Sequence, residues 1–169
     1  MSRHSTTPSL HPAATTPLLA IEIGGTKLQI VGGDSTGDIA HRIRFTVDPA
    51  RGGEDIRARI AEALPALLEQ VKPAAIGVGF GGPVDWRTGR ICCSHQVPGW
   101  HDFPFAAWLE AQSSLPVALE NDSNCAALAE ATLGAGQGGN PVFYFNLGSG
   151  VGGGLVVDGN IYHGARPGE

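Results

Sequence analysis

Two glycine-rich turns, each set between buried-type strands, constrain this chain more than any other feature. The first, Gly24-Gly25-Thr26-Lys27, separates apolar runs at 18–23 and 28–31. The second, Gly148-Ser149-Gly150-Val151-Gly152-Gly153-Gly154, follows a run at 142–147 and contains a G-x-G-x-x-G match. In a dinucleotide-binding fold that match opens a helix. Here Leu155-Val156-Val157 and the turn Asp158-Gly159 follow, so the setting is a hairpin and the dinucleotide reading fails. A hairpin tip made almost wholly of backbone N–H groups has the geometry of an anion nest, although glycine also favours ordinary tight turns. Two such tips point to a pair of phosphate-gripping hairpins facing one cleft.

Glycine accounts for 25 of 169 residues, against a usual share of about 7%. That excess, without a collagen period, points to sites where the main chain itself approaches a ligand. Alternation predicts a third antiparallel strand over 39–47. A helical period follows over 54–71, with Ile56, Ile60, Leu64, Leu67, Leu68 and Val71 on one face. Pro65 inside it predicts a kink or a split. A buried-type strand at 75–80 runs into Gly81-Gly82-Pro83-Val84-Asp85. A short strand at 90–93, a helix at 103–113, a strand at 116–120 and a helix at 121–133 come next, the last ended by Gly134. The remainder predicts a loop over 134–140, a strand over 142–147 and a glycine loop over 148–154. Short strands at 155–157 and 160–163 complete it. Strand, hairpin, strand, helix, strand is an α/β order.

Residues 1–17 are rich in Ser, Thr, Pro and Ala without an apolar period, and read as a disordered tail. The apolar run after them is short and interrupted by Glu22, so it makes no signal peptide, and a cytoplasmic location is expected. No run approaches the length of a membrane span. A net charge of −5 with 11 Lys plus Arg leaves no basic face for nucleic acid. Cys92, Cys93 and Cys125 have no C-x-x-C spacing and read as reduced thiols.

The motifs Glu22-Ile-Gly-Gly-Thr-Lys27, Gly81-Gly-Pro-Val-Asp85, Val97-Pro-Gly-Trp100, Glu120-Asn-Asp-Ser-Asn124, Leu147-Gly-Ser-Gly-Val-Gly-Gly-Gly154 and Gly164-Ala-Arg-Pro-Gly-Glu169 follow one another in the order found in ROK proteins. The chain resembles that family (repressors, open reading frames, kinases) from Leu18 to Glu169. The resemblance implies the actin-like, ribonuclease-H-like ATPase fold, in which two α/β domains close over a sugar and ATP. A first domain at 18–115 and the beginning of a second at 116–169 are expected.

The resemblance also implies roles. Gly24, Gly25, Thr26 and Lys27 form the first ATP phosphate site, and Gly148, Ser149 and Gly150 the second. Lys27 reads equally well as a solvated turn lysine. Asp122, at a strand-to-helix corner, is the general base toward a sugar hydroxyl. From the residues alone Asn121, Asp122 or Ser123 would each serve as the helix cap. Asn121 and Glu169 would hold sugar hydroxyls, and Glu22 would reach Mg²⁺ through water. Many relatives carry Asp at position 22, but a water-rich Mg²⁺ shell absorbs the extra methylene. Many also carry Asn where this chain has Gln96-Val97, which puts a sugar contact in doubt.

The function implied is an ATP- and Mg²⁺-dependent carbohydrate kinase, glucokinase- or fructokinase-like, forming a homodimer when full length. The family's sugar-contacting His, its cysteine-rich structural Zn²⁺ motif and its adenosine site would lie beyond Glu169. The chain as given is therefore expected to be an incomplete, weakly active or inactive fragment, with apolar surface exposed where the rest would pack. The alternative is a non-catalytic sugar-binding or regulatory ROK protein. The DNA-binding repressor branch places a helix-turn-helix ahead of the fold, and residues 1–17 form no helix pair.

Overall fold

The computed structural model describes residues 15–148 and 150–164. Alternating apolar residues build three antiparallel strands first: β1 (Pro17–Ile23), β2 (Lys27–Asp34) and β3 (Ile39–Thr46). Leu19, Ile21, Ile23, Leu28 and Ile30 from the first two are fully buried. β2 outruns its expected end at 31 and takes up a register shift between Gly32 and Gly33. After a 3-10 turn at Pro49–Arg51 comes α1 (Gly52–Val71), which lays Ile56, Ile60, Leu64 and Leu67 on the sheet. The expected split at Pro65 does not occur, and α1 is one helix of 20 residues. Pro65 is exposed and, lacking an N–H, cannot donate to the Ala61 carbonyl.

β4 (Ala75–Phe80) runs parallel to β1. A ribbon of β5 (Val84–Asp85) and β6 (Arg90–Ile91) follows, and its first strand had no sequence signal. α2 (Phe105–Ser113) starts two residues later than expected, because Phe103 bridges to Ile91 and Pro104 supplies the N-cap. β7 (Val117–Asn121) pairs in parallel with β4 and completes a five-stranded sheet of order β3-β2-β1-β4-β7. The change of sheet therefore comes after β7, at α3 (Asp122–Thr132). An aromatic cluster of Phe80, Trp100, Phe103, Phe105 and Trp108 fills the core beside α2.

The second sheet has the order β10-β9-β8, with β8 (Val142–Leu147), β9 (Val151–Val157) and β10 (Asn160–Ile161). β9 begins at Val151, so Gly152, Gly153 and Gly154, expected in a loop, are strand residues. The reason is α3. A Cβ on Gly152 would meet Ser123 Oγ at 2.2 Å, and one on Gly154 would meet the Ala127 Cβ at 2.7 Å. The glycines let the helix lie directly on the strand. On the opposite face Phe143, Phe145, Leu147 and Val151 are exposed.

Candidate active site

The parallel strands β1, β4 and β7 end in register, with Ile23 beside Phe80 and Phe80 beside Asn121. The chain turns after each end carry Gly24-Gly25-Thr26, Gly81-Gly82 and Asp122. Ligands of open α/β sheets bind at such carboxyl ends. Across from them stands the tip of the β8–β9 hairpin. Together these segments line an open cleft of about 610 Å³ that contains Glu22, Gly24, Gly25, Thr26, Lys27, Asn121, Asp122, Gly148 and Gly150. Ser149 and Glu169, the other two residues assigned from sequence, lie outside the described residues.

Both hairpin tips are closed by backbone bonds. The Gly24 N–H donates to Lys27 O at 2.8 Å, Val47 N–H to Thr26 O at 2.9 Å, and Gly148 N–H to Gly150 O at 2.8 Å. Thr26 is exposed at its tip. Lys27 Nζ turns back to Glu22 Oε1 at 2.8 Å, and Gln29 Nε2 donates to Glu22 Oε2 at 3.3 Å.

The cap of α3 is Asn121. Its Oδ1 accepts from the N–H groups of Ser123 at 2.9 Å and Asn124 at 3.3 Å, while its Nδ2 donates to Gly82 O at 3.2 Å. Both ends of that amide are engaged, and Asp122 is spared the capping task. Asp122 Oδ1 accepts from Ser123 Oγ at 3.3 Å. Its Oδ2 has room because a Cβ on Gly81 would stand 3.2 Å away. Burial pushes the Asp122 carboxyl above the ordinary carboxylate range; bonds from Ser123 oppose this, and the charge of Glu22 adds to it. A carboxylate with a raised pKa is a better proton acceptor.

Sequence reasoning missed His95 and Asn146 in the cleft wall, and read Ser123, which also lines it, only as a possible helix cap. Gln96, noticed only as a departure, packs over the first tip: a Cβ on Gly25 would fall 1.5 Å from Gln96 Oε1. The Val97-Pro-Gly-Trp100 motif explains how His95 and Gln96 are held. Trp100 is buried, Gly53 N–H donates to Pro98 O at 2.8 Å, and Arg57 Nη1 donates to Gly99 O at 3.1 Å. The wall is thus riveted to the start of α1.

For Mg²⁺ the donor set fits. Glu22 and Asp122 present hard carboxylate oxygens to one cleft, close enough for the charge of one to shift the other, and Lys27 already places a cation on Glu22. Among the described residues no three His, Cys, Asp or Glu side chains converge as a metal site, and the three cysteines are free thiols. No helix among them is long and apolar enough to cross a membrane.

The ROK family model matches residues 18–169. The chain is 37% identical to a glucokinase of Halalkalibacterium halodurans over 153 residues, covering 88% of this chain and 46% of that one. It is 35% identical to a beta-glucoside kinase of Listeria monocytogenes, with 88% and 49% covered. It superposes with a TM-score of 0.75 and 30% identity on a ROK family glucokinase from Streptomyces griseus in complex with glucose and AMPPNP, covering 92% of this chain and 48% of that one. The chain spans about half the length of the curated relatives it matches. Its fold is that of the actin-like ATPases, and the chain belongs to the ROK family.

Proposed function

We propose that this chain carries the phosphate-gripping and proton-accepting machinery of an ATP-dependent hexose kinase. One observation carries the reading: both glycine hairpins and a carboxylate with a raised pKa line the same cleft. In phosphoryl transfer the protein mainly positions groups and stabilises charge. The backbone of Gly24, Gly25, Gly148 and Gly150, with Thr26, Ser149 and Lys27, would hold the phosphates. Asp122 would take the proton of the attacking sugar hydroxyl as its oxygen bonds to the γ-phosphorus and the bond to the ADP oxygen breaks. Asn121 and Glu169 would contact sugar hydroxyls. Mg²⁺, reached by Glu22 through water, would supply positive charge to the phosphate oxygens. A cytoplasmic homodimer is the setting that goes with this reading.

The names of the relatives make glucose and beta-glucosides the first sugars to test. The decisive measurement is ADP release from Mg·ATP against a hexose panel, with Asp122→Asn as control. Sugar-dependent release that the variant abolishes supports the proposal. Hexose binding without release in the wild type favours the non-catalytic sugar-binding alternative. Neither binding nor release refutes both.

A further inference from the structure

Glu120, Trp86 and His163 come from three parts of the fold and meet in one cluster. Glu120 lies in β7 one residue before the cap of α3, Trp86 directly follows β5, and His163 is two residues past β10. Glu120 Oε1 accepts from the Asn121 N–H at 2.8 Å and from Asn124 Nδ2 at 3.0 Å. Its Oε2 is 2.6 Å from His163 Nε2. An ionised carboxylate only accepts, so Nε2 carries the proton and donates. The His163 ring stacks on Trp86 with centroids 4.2 Å apart and planes 21° from parallel. The His163 and Glu120 side chains are 17% and 16% exposed. The Arg87 guanidinium stands 4.5 Å from the same indole, so this aromatic is already engaged twice.

We propose that this cluster is an inter-sheet clasp, in which Glu120 and His163 are positioning residues for the second glycine hairpin. The contact of α3 with β9 is made over glycines, a smooth surface that gives little lateral index. A short hydrogen bond to a carboxylate is directional and strong for its kind, and a pair this sheltered is weakly screened. The clasp pins the β10 edge of the second sheet to the β7–α3 corner. From there the link to the tip is continuous. β10 pairs with β9 through Asn160 to Val157 and Ile161 to Val156, and Tyr162 N–H donates to Leu155 O at 2.8 Å. β9 leads straight back to Val151 and the Gly148–Gly150 tip. Glu120 thus fixes, through His163, where that tip stands relative to Asp122, two residues along its own chain. The joint stands on geometry alone; its effect on ligands rests on the phosphate-site reading above.

The test is hydrogen exchange on the whole chain, paired with calorimetric titration of Mg·ATP. The variants are Glu120→Gln, His163→Phe, which retains the stacking ring but no donor, and the two combined. Each single change is expected to speed amide exchange in β9 and β10 by about tenfold and to weaken Mg·ATP by a similar factor. β1 and β4 stay as protected as before. The double variant is no worse than either single one, and His163→Arg, which keeps a donor, restores both readouts. Unchanged exchange in β9 and β10, or additive effects in the double variant, overturns the clasp. Faster exchange with unchanged Mg·ATP affinity overturns the positioning role. Absence of nucleotide binding in every form, wild type included, overturns the phosphate-site reading and leaves the exchange pattern to decide the joint. Should Glu120→Gln fail to fold, His163→Phe decides, since it leaves the bonds of Glu120 to Asn121 and Asn124 in place.

Discussion

Gly154 of β9 lies against Ala127 of α3 so closely that a Cβ on the glycine would stand 2.7 Å from that of the alanine and 2.9 Å from the Ser123 carbonyl oxygen. Those neighbours are backbone and the first side-chain atom, so they have no rotamer by which to withdraw. Gly154→Val must push helix and strand apart. The expected cost is about 1–3 kcal/mol, typical of overpacking, read as a lower denaturant midpoint at unchanged slope. Because α3 begins with Asp122, the same shift moves the proposed proton acceptor from the cleft, and sugar-dependent ADP release should fall more than stability does.

Asp122 is held in a way that costs stability at neutral pH. Burial raises its carboxyl pKa from the ordinary 3.8, with Glu22 adding to the rise. The folded state therefore binds this proton more tightly than the unfolded chain does. The stability linked to Asp122 is greatest in acid and falls as pH climbs from 3.8 through the raised value. Asp122→Asn removes the ionised form. Its Tm should exceed that of wild type at pH 7, and the gap should close as pH drops below 3.8. Phosphoryl transfer should drop by about 10²–10⁴-fold, the usual contribution of a general base. A Tm gap that widens in acid would contradict this assignment of the shift.

Much of this arrangement was legible in the sequence, for identifiable reasons. Apolar runs located β1, β2 and β4, and alternation located β3, because these strands pack on a core that needs apolar residues. The first hairpin and the Asn121–Asp122 corner were readable as local turn and cap chemistry. The start of β9 was not. Gly152 to Gly154 look like loop residues, and only the proximity of α3, a tertiary fact, makes glycine the residue a strand needs there. Pro65 left open a kink or a split, and the helix runs on without the split. His95 and Asn146 carry no local signature at all. Asn146 reaches the cleft through strand register and His95 through the Trp100 anchor, neither of which a linear pattern encodes.

Lys27 and Glu22 form an ion pair at 2.8 Å with both side chains nearly half exposed. Such pairs are worth about 0–1 kcal/mol, so Lys27→Met should leave the denaturation curve almost unmoved. A phosphate ligand would offer Lys27 a stronger anionic partner in the same cleft. The variant should therefore weaken Mg·ATP by about tenfold, as expected for loss of one charged hydrogen bond, while hexose affinity is unchanged. Equal weakening of both ligands would place Lys27 outside the phosphate site.

The outer face of the second sheet carries Phe143 and Phe145, 69% and 61% exposed, with Leu147 and Val151 beside them. These side chains alternate with Tyr144 and Asn146, whose partners across the ladder, Gly154 and Gly152, face α3. Changing the phenylalanines thus leaves the helix contact intact. A contiguous apolar face of this kind favours association, and among the described residues β8 is an edge strand, which adds to that tendency. Phe143→Thr with Phe145→Thr keeps strand propensity while removing both rings. Stability should change by less than about 0.5 kcal/mol per site, as for surface substitutions. Sedimentation velocity should show the wild-type chain associating as its concentration rises and the double variant staying monomeric, with weaker binding of a hydrophobic dye. Association that persists in the double variant would move the sticky surface away from β8.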